Sequence, residues 1–363
     1  MSDDIWHFKR LDLAGRVVDS FDFGLASALT YFAPRRMGKT EFLRKDIMPL
    51  ALGKGWFVFY YSFLETKGRA QDDFRHHLLK FALDNQIIKE RAQWKKRIKK
   101  IAGQAVGVKA EIELESFAPF EFDLQALIES VPDNKKILLL LDEVQELAVY
   151  KENDVFLAKL RTILDINKDK VKAIFTGSSR EGLRNMFSQS SAPFFHFGQN
   201  LDFPPLEKSF TDHLCNTFTR VTQRPINGDQ LWDAFLRLDR VPQLARSLVE
   251  RLALDPNAMI SDVCDQMLSN LHEDRGYEAM FYDLSEFEQK IVSLILGKKA
   301  LFAKETLDVL SQKSEEEKIK ISTVQSTLRT LQRKRIIIKS YADKHYVVED
   351  PNFASWLRIR MKV

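Results

Sequence analysis

The sequence predicts an α/β protein with a parallel sheet, followed by a helical domain and a C-terminal winged-helix domain. Three observations predict it. Up to residue 205, continuous β-prone runs alternate with helically spaced segments, the pattern of βαβ units. After Pro204-Pro205, residues 206–280 keep helical spacing but carry almost no strand signal. From Leu284 onward, three helical patterns lead into two short β-prone runs joined by the turn-like Ala342-Asp343-Lys344. A length of 363 residues suits two or three domains, and the expected divisions are 1–205, 206–281 and 282–363.

Residues 27–32 (SALTYF) form the first strand, which ends at Ala33-Pro34. A helix opens near Lys39 and runs to Leu52, where Gly53 and Gly55 stop it. Residues 56–63 (WFVFYYSF) are continuous and aromatic, as a buried strand requires. Phe74, Leu78, Leu79, Phe81 and Ala82 place a helix over 71–87. The basic run 89–100 (KERAQWKKRIKK) and the alternating run 105–114 read together as an insertion near 89–118. Residues 137–141, all aliphatic, make a central parallel strand. A helix over 155–166 and a strand over 171–175 complete this unit. Helices follow at 284–296, 303–312 and 322–334, with β-prone runs at 335–339 and 345–348.

The segment Ala33-Pro34-Arg35-Arg36-Met37-Gly38-Lys39-Thr40 fits the phosphate-loop pattern GxxxxGK[ST], with Ala33 in the first position. Gly38 lets the backbone approach phosphates closely. The loop amides and the following helix N-terminus turn positive partial charge toward the anion. Lys39 then reaches the β- and γ-phosphates, and the Thr40 hydroxyl ligates magnesium. A solvated Gly-Lys-Thr turn would have no reason to stand between a strand and a helix, as this one does. Ala33 gives up a permissive backbone position, so the loop must open with ordinary dihedrals. The ligands implied are ATP and Mg2+.

The aliphatic strand at 138–141 ends in Asp142-Glu143, the Walker B arrangement. Asp142 would hold magnesium through water, and Glu143 would polarise the attacking water. Acidic residues at a strand exit are common, but downstream of a phosphate loop they complete a hydrolytic site. After the strand at 171–175 come Thr176, Gly177, Ser178, Ser179 and Arg180, at the end of a strand where ligands of open α/β sheets bind. A γ-phosphate sensor belongs there, with Thr176 and Arg180 ahead of Ser178; the bland alternative is a helix N-cap at Ser178 or Ser179. A GxSxG elbow is excluded, because Glu181 stands where its second glycine would be.

These segments resemble the archaeal-ATPase-type P-loop proteins, a branch of the AAA+/STAND-like ATPases. The resemblance rests on APRRMGKT (33–40), LLLLDEVQEL (138–147), FTGSSREGLRNMF (175–187) and the tail YVVEDPNFASWLR (346–358), and it spans about residues 20–360. It implies an ASCE core with a strand between Walker A and Walker B, a helical lid and a winged helix. Ala33 and the basic 89–100 run depart from the family pattern. Arg240 or Arg246, near a Val241-Pro242 turn, would be a second sensor or merely a lid-surface arginine.

Composition excludes several classes. With 45% hydrophobic residues and 27 Phe, the chain is not disordered. Cys215 and Cys264 lie far apart without CxxC spacing, and the seven histidines show no metal-ligand spacing, so a disulfide scaffold and a zinc site are both unexpected. No apolar run reaches the ~18 residues of a membrane span, and the acidic N-terminus does not open like a signal peptide. A cytoplasmic protein without a membrane partner is expected.

Net charge is +4 overall but +6 over residues 284–363. In the helix at 322–334, Val324, Leu328 and Leu331 fall on one face, leaving Thr323, Gln325, Ser326 and Arg329 outward. Such a face suits the DNA major groove, with Arg333, Lys334, Arg335 and the wing residue Lys344 on phosphates. The partner expected is double-stranded DNA; the alternative is a signalling or scaffold ATPase whose winged helix docks a protein such as an effector or nuclease. A homo-oligomer is a further expected partner; an arginine acting in trans would require a ring, with Arg161, Arg184 and Arg220 as conceivable donors.

Overall fold

The computed structural model describes residues 4–64, 69–88, 122–178, 186–187, 194, 197–272, 275–312, 319–339 and 345–361. The expected insertion near 89–118, Arg180, Arg184 and Lys344 lie outside them. Five parallel strands form the sheet: β1 (Ala28–Phe32), β2 (Phe57–Ser62), β3 (Ile137–Asp142), β4 (Val171–Gly177) and β5 (Gln199–Asp202), in the order β2-β3-β4-β1-β5. The run at 137–141 is apolar throughout because both faces of β3 are covered. Ile137, Leu139 and Leu141 enter one core, while Leu138 and Leu140 enter the other. Polar β5 carried no strand signal because it is an edge strand with Gln199 and Asn200 exposed.

Before the sheet, α1 (Leu11–Asp22) buries Ala14, Val17, Val18 and Phe21 against it. These residues follow the i, i+3, i+4, i+7 spacing of one helix face. The helix after the phosphate loop, α2, runs through Lys39–Glu41, a π-helical stretch Phe42–Ile47, and Met48–Gly53. Next come α3 (Ala70–Asp84), α4 (Leu124–Ser130), N-capped by Asp123, and α5 (Asp154–Ile166). The strand register decides the site. Ser62 lies opposite Asp142, Leu141 opposite Phe175, and Phe32 opposite Gly177. The exits of β1, β3 and β4 therefore share one edge, with β4 between the strand that feeds the loop and the strand that ends in Asp142.

Four helices follow: α6 (Lys208–Thr222), α7 (Gly228–Arg237), α8 (Pro242–Leu254) and α9 (Ile260–His272). They enclose a separate core around Leu214, Leu231, Phe235, Leu248 and Cys264, against which Trp6 and Phe8 also pack. Then come α10 (Arg275–Tyr282), α11 (Glu286–Leu296), α12 (Lys304–Gln312) and α13 (Ile321–Arg333). A capping box of Ser285 and Glu288 starts α11. Antiparallel β6 (Ile337–Lys339) and β7 (Tyr346–Val348) and a closing α14 (Pro351–Met361) complete the described chain. Ile291, Val324, Leu328, Leu331, Ile337 and Trp356 share their core. Between α7 and α8, Asp239 and Arg240 both adopt positive φ. Asp239 accepts a hydrogen bond from Ser355 and pairs with Arg358, tying that corner to α14.

Candidate nucleotide site

The loop leaves β1 with Ala33 buried and outside the left-handed region; Arg36 (φ 66°) and Gly38 (φ 88°) make the turn instead. An alanine is thus tolerated at the first position, whereas Gly38 occupies a conformation that side chains disfavour. Lys39 is only 5% exposed, and its Nζ donates to the carbonyls of Ala33 (2.6 Å) and Pro34 (2.9 Å). Burial pulls its pKa down, opposed by the negative charges of Glu143 and Asp142.

Asp142, 2% exposed, is the centre of the site. Its Oδ2 accepts from Thr40 Oγ1 at 2.5 Å and from the Tyr60 hydroxyl at 3.2 Å. Its Oδ1 accepts from Thr176 Oγ1 and from the Glu143 amide at 3.1 Å. Burial and the Asp142 charge push the Tyr60 phenol pKa upward, so its proton stays in place as a donor. Thr176 is fully buried and turned to Asp142, not toward the cavity. In the structure, then, the sensor candidate Thr176 is engaged by the Asp142 carboxylate across the β3–β4 pairing.

Glu143 leaves the strand at φ 54°, a left-handed conformation that costs energy in a residue with a Cβ. Ser178 Oγ donates to its Oε2 at 2.7 Å, and Gln145 Nε2 donates to the same oxygen at 2.5 Å. Ser178, a sensor or helix-cap candidate in the sequence, is thus bound to Glu143. Gln145 is buried, and its Oε1 has no hydrogen-bond partner among the described residues. Neither Tyr60 nor Gln145 was singled out from sequence. Only the pairing of β2 with β3, and the short helical turn after Glu143, bring them in.

A cavity of about 520 Å³ opens over this edge, lined by 35–40, Glu143, Trp6, His7 and Phe8, and by Gln243 and Arg246 of α8. Arg246 also donates to the Trp6 carbonyl at 3.3 Å. Arg240 points elsewhere: it bonds the Leu206 carbonyl and pairs with Glu207 at 2.7 Å. Of the two arginines weighed from sequence, only Arg246 lines the cavity. Below the loop, His7 Nε2 meets the buried Asp46 carboxylate at 2.7 Å.

Magnesium fits the donors present. Thr40 gives its proton to Asp142 and so keeps its oxygen lone pairs for a cation, beside a carboxylate of the same hard-oxygen type. Among the described residues no cluster of three or more His, Cys, Asp or Glu could hold a metal. A cation here would complete its shell with phosphate oxygens and water, as Mg2+ does.

On α13, Thr323, Gln325, Ser326, Arg329 and Arg333 are exposed, whereas Val324, Leu328 and Leu331 are buried. The basic cluster after them does not stay together. Lys334 pairs with Glu288 at 3.0 Å, and Arg335 lies 3.7 Å from Glu146, just past Glu143. Arg161 is occupied by Asp165 at 2.5 Å and by the Phe197 ring.

Residues 22–197 match the family model of an ATPase domain predominantly from Archaea. Among curated proteins, none matches this sequence. The fold is similar to that of a Walker-type ATPase of Pyrococcus abyssi, with 17% identity, a TM-score of 0.64, and coverage of 97% of this chain and 96% of that one. It is also similar to the ORC2 protein of Aeropyrum pernix in its ADP form, with 13% identity, a TM-score of 0.52, and coverage of 97% and 93%. At such identities the likeness is one of fold.

Proposed function

We propose that this chain, whose residues 22–197 match the family model of an ATPase domain predominantly from Archaea, is a P-loop ATPase of the ASCE class, a magnesium-dependent ATP-driven switch or motor whose C-terminal winged helix binds double-stranded DNA. The observation that carries the chemistry is Asp142 joined to Thr40 on one side and followed by Glu143 at the cavity mouth. In this reading the amides of Arg35, Arg36, Met37, Gly38, Lys39 and Thr40 cradle the phosphates. Ala33 and Pro34 release the Lys39 ammonium to them. Thr40 and Asp142 hold Mg2+, which when bound neutralises charge developing on the phosphates. Glu143 accepts a proton from the attacking water, while Ser178 and Gln145 fix its carboxylate. Thr176 serves by holding Asp142. Arg180 keeps its proposed place near the γ-phosphate on sequence grounds.

The helices over 206–281 act as the lid, with Arg246 on the cavity side. Residues 282–363 form the winged helix, with α13 as recognition helix and β6–β7 as wing. The Arg335–Glu146 pair supports the switch reading, because it joins that unit to the turn that carries Glu143. On DNA, Thr323, Gln325, Ser326 and Arg329 face bases, and Arg333 and Lys344 face phosphates. Two buried free thiols support the cytoplasmic reading.

The ion pairs that engage Lys334 and Arg335 within the chain favour a second reading, in which the exposed helix face docks a protein effector instead. Binding of duplex DNA by the full-length protein, followed by fluorescence anisotropy at two salt concentrations, separates the two. The DNA reading expects steep salt dependence and weaker binding after Arg329→Ala with Arg333→Ala. Salt-independent or absent binding, or no effect of the double replacement, overturns it. A Lys39→Ala protein with undiminished ATP hydrolysis would overturn the assignment of the loop.

A further inference from the structure

We propose that Tyr60 is a positioning residue for the magnesium-holding carboxylate, a role that rests on the reading of Thr40 and Asp142 as the metal pair. Four donors bond the Asp142 carboxylate, two to each oxygen. Each has its own source: the helix after the loop (Thr40), the strand on one side (Tyr60 of β2), the strand on the other (Thr176 of β4), and the chain itself (Glu143 amide). The carboxylate is thus gripped from both neighbouring strands, and its plane is fixed before any cation arrives.

Tyr60 suits this task for geometric reasons. It lies opposite Leu140, while Ser62 lies opposite Asp142. A side chain two residues before the register position shares its face but must be long to reach the carboxylate. The phenol spans that distance. Its ring is in turn covered by Arg44, whose guanidinium carbon lies 5.4 Å from the ring centroid. Thr40 and Arg44 are four residues apart on α2, so one stretch of that helix supplies both the hydroxyl on Asp142 and the cation over Tyr60. Oδ2 carries the Thr40 and Tyr60 bonds together. With the phenol absent, Oδ2 would lose the partner opposite Thr40, and the carboxylate could turn toward it. Outer-shell partners of this type orient a metal's ligands, and their loss costs about 10–100-fold in metal affinity.

The test uses the full-length protein, the fluorescent nucleotide mant-ADP and MgCl2. Tyr60→Phe deletes only the hydroxyl and leaves the ring under Arg44. Binding of mant-ADP in EDTA should match wild type, which establishes that the variant is folded with an intact loop. The MgCl2 midpoint at fixed mant-ADP should rise about 10-fold or more. Arg44→Ala, which frees the ring but keeps the hydroxyl, should move the midpoint the same way by less. A Tyr60→Phe midpoint within about twofold of wild type overturns the role. If magnesium has no effect on mant-ADP binding by the wild-type protein, the Thr40–Asp142 metal pair itself falls, and the role of Tyr60 with it. The first failure leaves the metal pair standing.

Discussion

Replacing Glu143 by glutamine keeps the shape of the side chain and removes its ability to take a proton from water. In the folded protein the carboxylate accepts from Ser178 (2.7 Å) and Gln145 (2.5 Å) and makes no hydrogen bond to the phosphate loop. Loss of a positioned general base costs about 10²–10⁴-fold in rate, or about 3–5 kcal/mol of transition-state stabilisation. Nucleotide affinity should not fall. The Glu143 charge supports the Lys39 ammonium, but it also faces the site into which a polyanion must come, so its removal should leave the Kd for ATP unchanged or lower. A small stability change, on the order of 1 kcal/mol, accompanies the re-pairing of Gln145 and Ser178 with an amide. Single-turnover hydrolysis measured beside mant-ATP binding separates the two effects. A Glu143→Gln protein that hydrolyses ATP within about threefold of wild type, or that loses rate only through weaker binding, refutes the assignment of Glu143.

Gly38→Ala meets no steric obstacle, since nothing lies within 4 Å of an added Cβ. It must nevertheless hold φ 88°, so thermal unfolding should report a loss of about 1–2 kcal/mol, with weaker mant-ADP binding if the loop relaxes. Glu349 is buried, and burial raises its pKa to about 7 against the pull of Arg335 and Arg35, with Asp350 and Glu143 adding to the rise and Lys39 within electrostatic reach. A raised carboxyl pKa stabilises the fold fully below the ordinary value near 4.5, and that contribution is lost as pH climbs through about 7. Relative to wild type, Glu349→Gln should therefore gain stability between these pH values, by up to about 3 kcal/mol; parallel denaturant midpoints for the two proteins across that window would contradict it. Asp239→Ala removes the acceptor of Ser355 and the partner of Arg358, and chemical denaturation should show about 1–3 kcal/mol lost.

Several parts of the fold could be read without coordinates because their signals are local. The aliphatic run 137–141 declares a strand covered on both faces, and the two cores that take alternate residues of β3 are the cause. The phosphate loop is equally local: its glycine, lysine and threonine are neighbours in sequence because they act as neighbours in space. Edge strand β5 was invisible for the converse reason, since an edge with exposed Gln199 and Asn200 need not be apolar. Helix α1 is legible in its spacing, because Ala14, Val17, Val18 and Phe21 fall on one face.

What the sequence determined by itself is the phosphate-loop pattern and the existence of an acidic strand exit downstream, because short-range patterning dictates both. What only the tertiary structure decided is who holds whom. Tyr60 reaches Asp142 across 82 residues because β2 pairs with β3. Thr176 turns to Asp142 because β4 takes the position between β1 and β3. Arg335 leaves its basic neighbours for Glu146 because the C-terminal hairpin packs beside that turn. Strand order and packing partners are settled by burying the whole chain at once, and no local segment contains that information.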